Sequence, residues 1–87
     1  MKVYSYLISD TDGCIKECIF KQMADAKARL EKDVTTCVAE ERNADRDVQI
    51  FAMESYDTGA YADVRIAYSH NPDYAIYFSV TEEEVIE

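Results

Sequence analysis

Residues 48–81 read VQIFAMESYDTGAYADVRIAYSHNPDYAIYFSVT, and this run decides the fold class. Three stretches rich in β-branched and aromatic residues are parted by two turn signals, Asp57-Thr58-Gly59 and His70-Asn71-Pro72-Asp73. The middle stretch, residues 61–69, alternates: Ala62, Val64, Ile66 and Tyr68 point one way, Tyr61, Asp63, Arg65 and Ala67 the other. The last does the same, with Tyr74, Ile76, Phe78 and Val80 set against Ala75, Tyr77, Ser79 and Thr81. The first, residues 48–56, is apolar on both faces, which predicts a strand at the centre of the sheet.

Upstream of this run the hydrophobic period is longer. Met23, Ala26, Leu30, Val34, Cys37 and Val38 form one stripe at helical spacing, with Asp25, Arg29, Lys32 and Thr36 opposite. Asp25 and Arg29 stand in the favourable i, i+4 order. No Ser, Thr or Asp caps the start cleanly; the end is expected near Arg42, with Asn43 as the left-handed cap. Before the helix, residues 2–9 and 14–20 read as strands joined at Asp10-Thr11-Asp12-Gly13, a hairpin signal. A calcium loop with Gly13 as its sixth residue would begin at Ile8 and end at Ile19, neither of them a ligand.

The element order is therefore β-β-α-β-β-β, an α+β fold. If the helix runs antiparallel to the second strand, the third strand can pair with the first. The expected sheet is five-stranded and antiparallel, in order 2-1-3-4-5, with the helix on one face. Eighty-seven residues suffice for one domain, spanning 1–87, with 81–87 as an acidic C-terminal tail.

Charge is distributed unevenly. Residues 47–87 hold nine acids and one base, Arg65, a balance of −8; residues 1–46 hold nine acids and eight bases, −1, completing the net −9. Such a chain is a poor ligand for nucleic acid or an anionic membrane and a good one for a basic protein. Three cysteines, Cys14, Cys18 and Cys37, form no C-x-x-C and read as small buried hydrophobes in a reducing compartment. The N-terminal apolar run is too short for a signal peptide and no stretch reaches the ~20 residues that span a bilayer, so a cytoplasmic protein is expected.

The residues do not assemble a catalytic set. His70 is the single histidine and sits in a turn without a nucleophile frame; Gly13 and Gly59 each serve a turn and build no phosphate loop. No metal or cofactor is expected. What remains is a surface, because one helix covers only one face of the sheet. On the open face and its flanking turns and tail stand Asp57, Tyr61, Asp63, Asp73, Tyr77, Glu82, Glu83 and Glu84, carboxylates interleaved with tyrosines.

In type, the chain resembles the small acidic proteins that phages use against host nucleic-acid enzymes, anti-CRISPR proteins and DNA mimics. The resemblance rests on residues 61–63, residues 73–77 and the run Glu82-Glu83-Glu84-Val85-Ile86-Glu87. It implies an inhibitor, not an enzyme, that occupies the basic nucleic-acid-binding surface of a host enzyme in the host cytoplasm. The competing expectation is a structural or regulatory homo-oligomer, such as a homodimer, formed through the open sheet face or an edge strand.

Overall fold

The computed structural model describes residues 1–68 and 70–86. Its elements are β1 (Lys2–Asp10), β2 (Gly13–Phe20), α1 (Met23–Asn43), β3 (Asp47–Tyr56), β4 (Gly59–Ala67) and β5 (Tyr74–Glu84). They form one antiparallel five-stranded sheet with the helix packed on one face, the α+β class that the alternation and the helical stripe predict.

The strand order is β2-β1-β5-β4-β3, which corrects the expected 2-1-3-4-5. Strand direction could not separate the two, because β3 and β5 both run antiparallel to β1. The crossover is long enough to reach the far edge. A helix of 21 residues spans about 31 Å, while the outer strands of a five-stranded sheet lie roughly 19 Å apart. The chain thus crosses the whole sheet from β2 and enters β3 at the far edge. The β3-β4-β5 meander then returns inward and closes on β1.

Residue 51 explains why β3 reads as apolar on both sides. Ile50 faces Val64 and Ala52 faces Asp63, leaving Phe51 as an extra residue in a β-bulge. The alternation changes phase there, so Val48, Ile50, Met53 and Ser55 share the helix side with Ile66, Val64, Ala62 and Ala60. The strand is an edge. It leaves Ile50, Phe51, Met53 and Tyr56 exposed.

The core lies between α1 and the sheet. Ala26, Leu30, Val34 and Val38 pack on Tyr6, Ala60, Ala62, Val64, Ile66, Phe78 and Val80, and Cys37 and Met23 border them half-buried. The Tyr6 hydroxyl, at the floor of this layer, donates to Asp33 Oδ2 at 2.8 Å. Arg29 pairs with the same Asp33 at 3.2 Å, so its i, i+4 partner lies C-terminal to it and is not Asp25. At the helix end the left-handed residue is Asp45, φ 58°, rather than Asn43.

Two further expectations change. The acidic run does not hang as a tail from residue 81: β5 continues through Glu84, paired with β1 from Ser5 opposite Thr81 to Lys2 opposite Glu84. Glu87 and Ser69 lie outside the described residues. Cys14, expected to be buried, is exposed on β2, where a second bulge at Ile15 interrupts the pairing with β1. No described helix is long and apolar enough to cross a membrane.

Candidate protein-docking face

Residues opposed across neighbouring strands share a side of the sheet, so the register defines the uncovered face. Asp63 stands opposite Tyr77, Tyr61 opposite Ser79, Arg65 opposite Ala75 and Gly59 opposite Thr81. Beyond β4, Glu54 stands opposite Tyr61 and Gln49 opposite Arg65. Toward the other edge, Leu7 lies between Ser79 and Glu17, and Val3 lies beside Glu83. The face is thus aromatic and small-residue at its middle, with carboxylates around it.

Two of its charges neutralise each other. Arg65 grips Asp63 with two parallel hydrogen bonds, Nε to Oδ1 at 2.8 Å and Nη2 to Oδ2 at 2.9 Å. Its guanidinium carbon also sits 4.6 Å from the centre of the Phe51 ring. The carboxylate hydrogen bond holds the Arg65 guanidinium above its ordinary range. The Tyr61 phenol is pushed up by desolvation and then by the nearby Glu54 carboxylate. Asp63 is consequently a fixed dipole with Arg65, not a free acid.

Of the eight residues singled out in the sequence, Tyr61, Asp63, Tyr77 and Glu83 share the open face. Asp57 and Asp73 are exposed in the turns at opposite ends of β4, roughly 26 Å apart along that nine-residue strand. Glu82 and Glu84 point to the helix side, in register with Tyr4 and Lys2. They are also compensated: Lys2 Nζ is 3.7 Å from Glu82 and the N-terminal ammonium 3.3 Å from Glu84. Neither stands on the open face.

Alternation alone misses Glu17, Glu54 and Phe51. Glu17 and Glu54 join the face through cross-strand register, which depends on the correct strand order. Phe51 had a local signal: four successive apolar residues, Ile50 to Met53, cannot all fit a period of two, and a bulge resolves the conflict. His70 lies elsewhere, stacked on Tyr68 with ring centres 5.4 Å apart, while Arg46 covers the same Tyr68 at 4.8 Å.

The face is therefore a two-tyrosine platform, Tyr61 and Tyr77, whose central acid is internally paired. Its remaining acids, Glu17, Asp47, Glu54, Glu83, Asp57 and Asp73, make no ion pair among the described residues. Comparisons with protein-family models, with characterised proteins and with solved structures found no match for this chain.

Proposed function

We propose that the protein is an acidic inhibitor that lays its uncovered sheet face on the basic nucleic-acid-binding surface of an enzyme, competing there with nucleic acid. The observation that carries this reading is the placement of six uncompensated carboxylates around exposed Tyr77 and half-buried Tyr61, on a sheet face that no second layer of the described residues covers. Tyrosines offer large contact area at small entropy cost, and the surrounding acids supply charge complementary to lysine and arginine. A groove that stacks bases and tracks phosphates offers partners for both. The site of action in this reading is the cytoplasm, that of the host if the gene is carried by a phage.

The test is a titration of the protein against a panel of basic DNA- and RNA-binding enzymes, with nucleic acid as competitor. The expected result is binding that nucleic acid displaces and that weakens as salt rises from low to physiological strength. Reversing Asp57, Asp73 and Glu83 together to lysine abolishes it, whereas reversing Asp25 on the exposed side of α1 does not. Equal loss from both, or binding indifferent to nucleic acid, overturns the reading.

A further inference from the structure

Among the described residues both edges of the sheet are unpaired, but they differ in kind. β2 carries Lys16 and Glu17 at its middle, charges of the sort that protect an edge against pairing. β3 has no charge between Asp47 and Glu54, and within that span it exposes Ile50 (44 %), Phe51 (65 %) and Met53 (43 %). Beside it, between α1 and β3, runs an open groove of about 460 Å³ lined by Val34, Thr35, Val38, Ala39, Ile50 and Met53, with Glu31 and Arg42 also at its wall. An apolar strand edge with an apolar groove alongside is a template for another strand.

We propose that the occupant is β3 of a second copy, antiparallel about a two-fold axis, joining two sheets into one of ten strands with both helices on the same side. The register of β3 fits a second copy of itself. Pairing β3 with itself over its whole length sets Asp47 against Tyr56 of the partner copy, Val48 against Ser55, Gln49 against Glu54, Ile50 against Met53 and Phe51 against Ala52. Every one of these pairs lies on a single side of the sheet: Val48, Ile50, Met53 and Ser55 toward the helices, and Asp47, Gln49, Ala52, Glu54 and Tyr56, with Phe51 against Arg65, on the open side. A shift of one residue in either direction opposes helix-side residues to open-side ones, which a common pleat does not allow.

The bulge makes this possible. In a regular strand, residues whose numbers differ by an odd amount point to opposite sides, and Ile50 could not share a side with Met53. The phase change at Phe51 brings them together, and in the paired register the two bulges lie against one another. Ile50 and Met53 then close over the groove from both copies, the glutamine of each open-side pair donates to a glutamate, and a tyrosine hydroxyl faces an aspartate. No like charges are opposed. Antiparallel packing also turns the Glu31 end of one helix toward the Arg42 end of the other.

The β3 dimer does not rest on the proposed docking face, although Glu54 and Phe51 border both, and it has the opposite salt response. Two copies of net charge −9 repel, so added salt strengthens the dimer, whereas it weakens a complex with a basic enzyme. The experiment is sedimentation equilibrium of the full chain up to about 1 mM, at low and moderate salt. A dimer that tightens with salt is expected. Phe51→Glu and Met53→Glu each weaken it by about tenfold or more, while Ile19→Glu, on the other edge, leaves it intact.

A second measurement reads the register without disturbing the apolar residues. Chains carrying Gln49→Cys and Glu54→Cys, each with Cys14→Ser, are mixed under mild oxidant. Opposed antiparallel residues fall within disulfide reach, so the mixture cross-links faster than either chain alone. A monomer at every concentration overturns the proposal and leaves the edge to an extended segment of another protein. So does a dimer sensitive to Ile19→Glu, or cross-linking no faster in the mixture.

Discussion

Asp33 receives the Tyr6 hydroxyl from below and the Arg29 guanidinium from its own helix, and it ties α1 to the sheet at its middle. Desolvation, and then the Asp33 hydrogen bond, push the Tyr6 phenol far above its ordinary value; the Tyr74 phenol is pushed up by burial and by its 2.7 Å bond to Asp10. In the unfolded chain both phenols ionise near pH 10. Above that pH the unfolded state has released protons that the folded state retains, so stability falls as pH rises. A thermal melt series through the alkaline range is expected to show this decline, shallower in Tyr6→Phe. At neutral pH that variant should lose about 1.5 kcal/mol, the worth of a hydrogen bond to a charged group. Tyr6 was readable only as a strand aromatic, since its partner lies 27 residues away across the layers. The Arg65–Asp63 pair is different: two residues apart on one strand, they share a face by the period of two alone. Their pairing makes Asp63→Lys an ambiguous probe, because the new cation would face Arg65.

Among the elements, the helix was the easiest to read, and its stripe packs as its spacing requires. Leu30, Ile66 and Phe78 are 2 %, 1 % and 3 % exposed within one cluster. Leu30→Ala should therefore cost about 2–5 kcal/mol, measured by denaturant unfolding. Gly59 shows a constraint that turn chemistry hides. A Cβ there would run into the Val80 carbonyl oxygen, so β4 can approach β5 only without a side chain at that position. Gly59→Ala should lose about 1–3 kcal/mol as the strands are forced apart, visible as a lower melting temperature. β3 looks central from its sequence because a period of two, run across the bulge at Phe51, puts apolar residues on both faces. The acidic end was misread because Glu82 and Glu84 look like a solvated tail until Lys2 and the N-terminal ammonium are set beside them. Strand directions and turns are local properties and could be read; the neighbours of β1 are a long-range property and could not.

At the scale of the whole molecule, the shape is a slab, 48 × 22 × 17 Å, one sheet thick plus one helix. The uncompensated acids Asp57, Glu83 and Glu54 lie toward one end of β4 and Asp73 at the other, so the negative field is drawn out along the long axis. Single reversals are expected to weaken partner binding modestly and the Asp57, Asp73 and Glu83 set to remove it, with melting nearly unchanged because exposed charges contribute little to stability. Isothermal titration alongside melting separates the two effects. The composition located the acidic half of the sequence; which acids remain free follows only from the pairing of Asp63, Glu82 and Glu84.

The closure of the sheet by β1 against β5 also fixes an order of events in time. One of the two inner ladders joins Lys2 to Glu84 and Asp10 to Ile76, contacts 82 and 66 residues apart along the chain. During synthesis, the β1-β2 hairpin, the helix and the β3-β4 pair can all form while β1 still lacks its second neighbour. Until β5 emerges, an inner edge of β1 and an inner edge of β4 stand open at once. Closing such long-range pairs is slow, in the millisecond-to-second range typical of β-rich topologies. A nascent chain halted just before Tyr74 should be captured by chaperones and degraded by protease, and release of the eleven residues of β5 should restore protection in a single step.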